Sequence, residues 1–153
     1  MSKTKKWEIE GIKKRQSFCN ASKIILIARL AHLINTIDDY FKERNVENLH
    51  DIRIALRRVR YNMELFIICF DRKIFLRFYN IIENLQDISG LVRDLDVFKE
   101  NILSLITEER VRVSRSVTIK IEEKRKTLEN KLELELMKFL HSKSLKDFNK
   151  MLN

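Results

Sequence analysis

One run of the sequence gathers basic side chains at spacings that suit the binding of phosphate groups. At about 100° per residue of an α-helix, His50, Arg53, Arg57 and Arg60 fall within an arc of roughly 80°. Arginine presents a planar fork that donates two parallel hydrogen bonds to phosphate oxygens and keeps its charge. A histidine beside such a ligand is favoured in its charged form. The arc lies next to an apolar seam, so we expect it to face a groove between helices, whereas Arg58 points further outward.

Acidic residues are scarce along this run. Between Leu49 and Met63 four arginines accompany a single acid, Asp51. Solvated helices usually intersperse acids among their bases at i,i+4 spacing, as residues 122–135 do here. Four like charges on one short helix repel one another, which favours a functional explanation. The alternative is a basic face paired with acids from other helices.

A second motif follows at Gly90-Leu91-Val92-Arg93-Asp94-Leu95-Asp96-Val97. Gly90 predicts a kink or break, which would place Asp94 and Asp96 near the start of a new helix. There they could cap that helix and complement its dipole. Either carboxylate could instead orient Arg93, or an arginine of the preceding helix, through a charge-assisted hydrogen bond.

The elements that must position these motifs are predicted to be helices throughout. Two glycines and no proline in 153 residues favour an all-α fold. Apolar residues at three- and four-residue steps predict a four-helix up-and-down bundle with long helices plus a short C-terminal helix. The predicted helical segments are about 20–43, 46–70, 72–89, 92–107, 108–140 and 144–152. The clearest seam is in the second, at Leu49, Ile52, Leu56, Val59, Met63, Phe66 and Phe70.

The domain organisation and charge narrow the choice of partner. Residues 1–16 are predicted to form a basic N-terminal arm, with Lys13, Lys14 and Arg15 near its end, and residues 17–153 a single bundle. The net charge of +9 favours an anionic partner.

The two cysteines and the start of the chain bear on the compartment. Cys19 and Cys69 show no metal-like spacing and lie among apolar residues, which predicts buried free thiols in a reducing compartment. The sequence lacks a signal-peptide pattern at its start and an apolar stretch long enough to span a bilayer. We therefore expect a cytoplasmic protein without membrane contact.

The two motifs together resemble those of a known family. His50-x-x-Arg53-x-x-x-Arg57-Arg58-x-Arg60, followed by Gly90-x-x-Arg93-Asp94-x-Asp96-Val97, is similar to the CHAD family, the conserved-histidine α-helical domains. The resemblance covers about residues 20–150. It implies a helical bundle that binds inorganic polyphosphate through a basic surface. The implied phosphate contacts are His50, Arg53, Arg57, Arg60 and Arg93, with Arg58 and Asp94 as accessory residues.

The resemblance also raises the question of oligomeric state. Family members usually contain two such repeats about a pseudo-twofold axis, whereas this chain has one His-x-x-Arg and one Arg-Asp-x-Asp element. It therefore resembles about half of the family's domain. Two copies about a true twofold axis could supply both repeats, and such dimers are the commonest oligomers. We expect a homodimer, whose interface the sequence does not locate.

Other functional classes fit less well. An enzyme would need convergent carboxylates or a poised histidine, and a phosphate-cradling glycine loop is absent, so we expect no catalytic residues and no cofactor. His32, His50 and His141 are isolated, which argues against a metal site. Nucleic-acid binding is the serious alternative, because a basic helix binds those phosphates by the same physics. A helical scaffold or interaction domain is the third.

Overall fold

A computed structural model describes residues 9, 11 and 17–153, and this part of the chain is helical without any strand. The helices are α1 (Phe18–Lys42), α2 (Val46–Phe66), α3 (Arg72–Thr107), α4 (Arg115–Leu140) and α5 (Lys143–Leu152), with a short 3-10 turn at Ile67–Cys69. The predicted all-α fold with long helices and a short C-terminal helix is confirmed. The predicted basic arm, residues 1–16, lies outside the described residues except at Ile9 and Gly11. Within the described helices, none is long and apolar enough to cross a membrane.

Each helix begins at a side chain that caps it. The capping side chains accept a backbone N–H from the first turn, which stabilises a helix by about 1 kcal/mol. These residues are Ser17, Asn45, Asp71, Ser114 and Ser142. The first helix therefore starts slightly earlier than the predicted bound at residue 20.

The core follows the apolar stripes of the sequence. Consecutive helices pack against each other from α1 to α4, and α5 packs mainly on α3. The seam of α2 is buried at six of its seven predicted positions, and Phe70 packs partly buried against the core. Across the middle, the ring of Phe78 stacks on Phe148 of α5 at 4.0 Å and meets Phe139 of α4 at 5.9 Å. These ring contacts join α3 to α4 and α5, while α2 packs on another side of α3 and forms a groove with it.

The predicted break at Gly90 is wrong, because α3 continues through it for 36 residues. Ile88 and Val92 on either side are buried, and their packing outweighs the helix propensity of one glycine, which costs about 1 kcal/mol relative to alanine. A Cβ atom at Gly90 would meet nothing within 4 Å. The missing side chain therefore leaves open space on the surface of α3.

The predicted helix from 108 to 140 starts too early. The backbone leaves α3 after Thr107, Arg110 has a left-handed φ of 54°, and α4 begins at Arg115 after its cap Ser114. Phe98, Leu105 and Val117 continue the apolar steps of the sequence but are not in the core, since they are 50%, 38% and 38% exposed. We call residues 97–121, the end of the α3–α4 hairpin, the hairpin tip. It exposes Val97, Phe98, Leu103, Leu105, Ile106, Val111, Val117 and Ile119.

The prediction of two buried free thiols is wrong. Cys19 at the start of α1 and Cys69 in the 3-10 turn form a disulfide with a Cα–Cα distance of 5.3 Å. Cys19 is exposed and Cys69 is only partly buried. The antiparallel packing of α1 on α2 brings these two ends together, so the bond closes the far end of the α1–α2 hairpin.

Candidate phosphate-binding site

The predicted basic arc of α2 faces α3. The guanidinium of Arg60 reaches Glu83 of α3 at 3.1 Å. Arg53, two turns nearer the start of α2, lines a surface depression of about 340 Å³ together with Gly90. The other residues of this depression are Gln86, Asp87, Leu91 and Asp94. The open space beside Gly90 thus lies in the groove that the arginines of α2 border.

Three arginines of α2 have no acidic partner. Among residues 17–153, no carboxylate lies within 4.0 Å of Arg53, Arg57 or Arg58, whereas several other arginines are paired. Arg57 donates a hydrogen bond to the hydroxyl of Tyr61 at 3.1 Å and lies 5.3 Å from the centre of its ring. This contact orients the Arg57 guanidinium and leaves its charge uncompensated.

Arg60 is in a different position from its neighbours. It donates hydrogen bonds to Glu64 and Glu83 at 3.1 Å and to the hydroxyl of Tyr79 at 3.0 Å. The hydrogen bond with Tyr79 is the main cause that raises the pKa of Arg60, and the nearby glutamates add to it. The alternative of a basic face paired with acids from other helices therefore describes Arg60, but not Arg53 or Arg57.

His50 is half-buried on the same face. Its Nδ1 atom is shielded from solvent and has no hydrogen-bond partner within the described part of the chain. The Oε1 atom of Gln86, in the depression beside Arg53, is likewise buried without a partner. Buried polar atoms are normally hydrogen-bonded, so the unpartnered Oε1 of Gln86 indicates that a water or a ligand donor belongs in the depression.

Arg93 and Asp94 lie on α3, and only one of them borders the depression. Asp94 lines it and is exposed. The Arg93 guanidinium is 4.0 Å from the carboxylate of Glu100, about two turns further along the same helix. This is a weak ion pair. Within residues 17–153, no hydrogen bond or ion pair joins Arg93 to α2, and Arg93 does not line the depression.

Asp96 has a structural role that the sequence did not reveal. The predicted function of Asp94 and Asp96 as helix caps is wrong, because both lie in the middle of α3. The buried carboxylate of Asp96 accepts a hydrogen bond from Arg125 of α4, whose other guanidinium nitrogen donates to Glu129 at 2.8 Å. Burial alone would lower the pKa of Arg125, but Asp96 and Glu129 together raise it.

The network extends to α1. The hydroxyl of Tyr40 contacts Glu129 and Glu133 at 2.8 and 2.9 Å, and Arg44 donates to Glu133 at 3.0 Å. Burial and the two glutamates raise the pKa of Tyr40 well above its ordinary value. We call Asp96, Arg125, Glu129, Tyr40 and Glu133 the buried network. It links α1, α3 and α4 through polar contacts.

A larger cavity of about 470 Å³ lies beside the buried network, between the α1–α2 turn and the hairpin tip. Its charged lining consists of four bases and four acids: Arg44, Lys99, Arg125, Lys126, Asp96, Glu100, Glu122 and Glu129. Because these charges balance, the cavity offers little attraction to a polyanion. The smaller depression next to the unpaired arginines of α2 is the better candidate. Among residues 17–153, no cluster of His, Cys, Asp and Glu could hold a metal ion.

Comparison with known proteins gave one match. A family model described as CHAD domain matches residues 24–153. These residues include all of α2 and α3, and thus the whole candidate site. No curated protein and no solved structure matches the chain.

Proposed function

The chain belongs to the CHAD domain family, and from this premise we propose that it is a non-catalytic module that binds a polyanion, inorganic polyphosphate, in the α2–α3 groove. The observation that carries the proposal is Arg53, which lines the depression beside Gly90 and has no carboxylate partner among residues 17–153, with the likewise unpaired Arg57 one turn along α2. A linear chain of phosphates could replace the missing acids along this groove. Each guanidinium would donate two hydrogen bonds to one phosphate.

Arg60 and Arg93 enter the proposal with smaller roles. Both have carboxylates within 4.0 Å, at Glu83 and Glu100, so a phosphate must compete with an existing ion pair. His50 would donate to the ligand in its charged form. Arg58 points away from the groove, and Asp94 would repel the ligand unless it orients a neighbouring base.

The direct test removes one unpaired arginine at a time. Arg53→Ala or Arg57→Ala should weaken polyphosphate binding about tenfold, because a hydrogen bond to a charged group contributes about 1.5–3 kcal/mol. Each should also make the dependence of log affinity on log salt shallower by roughly one unit or less. Isothermal titration at two salt concentrations measures both quantities.

Arg77→Ala is the matched control, since Arg77 is a half-exposed arginine of α3 that pairs with Asp147 of α5, away from the groove. It should change affinity much less. An equal loss of affinity in Arg77→Ala would show that polyphosphate binds through nonspecific charge attraction.

DNA of matched charge serves as competitor. If it displaces polyphosphate at equal concentration of phosphate, nucleic-acid binding becomes the better assignment.

We also propose that the protein forms a homodimer through the hairpin tip. All eight of its exposed apolar side chains lie at one end of the α3–α4 hairpin, and clustered exposed apolar residues often mark an interaction surface. Glu108 and Glu109 at the end of α3 stand close in sequence to Arg110, Arg112 and Arg115 at the start of α4. A twofold axis through the tip would bring the acids of one copy to the bases of the other. Such self-complementarity is what a closed dimer requires.

Sedimentation velocity tests the dimer. The wild-type protein should sediment as a dimer, and Ile106→Lys should shift it to the monomer. Leu134→Lys, which replaces a 53% exposed leucine of α4 beyond the tip, should leave the dimer intact. Polyphosphate should strengthen a dimer that binds it across both copies. A wild-type monomer at all concentrations, with and without polyphosphate, would contradict this proposal.

A further inference from the structure

Arg29 is a half-buried arginine of α1, the helix that packs on α2. Its Nε atom is shielded from solvent and has no hydrogen-bond partner in the described part of the chain. The charged group that acts on it is another cation, Arg58 of α2. Burial lowers the pKa of Arg29, and Arg58 lowers it further.

This arrangement is unfavourable for the free protein. A partly buried cation without a partner loses solvation, and a neighbouring like charge adds repulsion. No carboxylate among residues 17–153 lies within salt-bridge distance of either arginine. The side-chain amide of Asn62 donates a hydrogen bond to the backbone carbonyl of Arg58 at 2.6 Å. This bond does not neutralise the charge of either arginine. If Arg29 only packed its aliphatic stem between the helices, methionine would serve better.

The outward side of α2 connects this pair of arginines to the groove. Arg57 and Arg58 are consecutive, so their side chains leave the helix about 100° apart. Between Asp51 and Glu64, α2 contains no acidic residue. An anionic chain can therefore cross the helix at Arg57 and Arg58 without meeting a negative side chain of α2.

We infer that Arg29 and Arg58 form a second phosphate subsite, reached by a polyphosphate chain that leaves the α2–α3 groove and crosses the outward side of α2. A phosphate between the two guanidiniums would pair the Arg29 Nε and replace repulsion between cations with attraction to a shared anion. This inference rests on the proposed function and specifies its ligand: a chain long enough to contact both sides of α2. A short oligophosphate fills the groove alone.

The experiment compares inorganic tripolyphosphate with long-chain polyphosphate in titrations of the full-length protein. Arg29→Met should leave the affinity for tripolyphosphate unchanged and weaken long-chain binding about tenfold. Arg53→Ala should weaken both. Arg29→Met should also raise the thermal midpoint of the free protein, since it removes an unpaired, partly buried charge. If Arg29 only stabilised the fold, Arg29→Met would lower the thermal midpoint instead. Lys42→Met, at the other end of α1 and 78% exposed in its side chain, is the charge-matched control.

The outcomes separate the two proposals. If Arg53→Ala loses affinity for both ligands while Arg29→Met behaves like Lys42→Met, the second subsite is excluded and the groove stands. If Arg29→Met weakens both ligands equally, Arg29 supports the groove itself and the crossing path is excluded. If the wild-type protein binds neither ligand, the proposed function fails and this inference fails with it.

Discussion

Replacing Arg125 with methionine should lower the free energy of unfolding by about 3–5 kcal/mol, because it leaves the carboxylates of Asp96 and Glu129 buried without their cation. The side chains of Asp96, Glu129 and Arg125 are only 7%, 11% and 15% exposed. The two carboxylates would therefore stay largely buried without the guanidinium that compensates them. The loss is a large part of the 5–15 kcal/mol that typically holds a domain folded. Urea denaturation followed by circular dichroism measures it.

Arg44→Met is the control within the same neighbourhood. Arg44 contacts Glu133 from a side chain that is 51% exposed, and exposed ion pairs contribute about 0–1 kcal/mol. The triple variant Arg125→Met, Asp96→Leu, Glu129→Leu should recover most of the stability, since apolar groups of similar volume often replace a buried ion pair without loss. An Arg125→Met variant no less stable than Arg44→Met would show that solvent reaches the buried network.

Reduction of the Cys19–Cys69 disulfide should lower the free energy of unfolding by about 4 kcal/mol. The two cysteines are 50 residues apart, and the entropy of closing a loop of that length in the unfolded chain predicts a loss of this size. Urea denaturation with and without reductant measures it.

The double variant Cys19→Ser, Cys69→Ser should match the reduced wild-type protein and should not respond to reductant. A shift below about 1 kcal/mol in the wild-type protein would mean that the hairpin is closed without the bond. The disulfide also removes one reason for predicting a cytoplasmic location, because such bonds persist mainly in oxidising compartments. The location remains a prediction.

Features with a local cause could be predicted from the sequence. The seam of α2 is buried from Leu49 to Phe66 as predicted, because it follows the helical period. The same period placed Arg53, Arg57 and Arg60 on one face of α2. The break predicted at Gly90 is wrong, because the packing of Ile88 and Val92 outweighs the low helix propensity of one glycine.

Features that depend on distant residues could not be predicted. Asp96 and Arg125 are 29 residues apart, and only the packing of α3 on α4 makes them partners. Arg60 could not be distinguished from Arg53 by type or spacing, because Glu83 and Tyr79 come from another helix. The Cys19–Cys69 pairing depends in the same way on the antiparallel course of α1 and α2.

The continuity of α3 through Gly90 has a mechanical consequence for the proposed assembly. One unbroken helix carries Gly90 in the groove and Ile106 in the hairpin tip, about 24 Å apart at 1.5 Å per residue. Without a hinge between them, a dimer joined at its tips would hold its two grooves at a fixed separation. The protein would then distinguish polymers by their length. Polymers shorter than that separation would occupy one copy, while longer ones would bridge both and gain affinity through a high effective concentration.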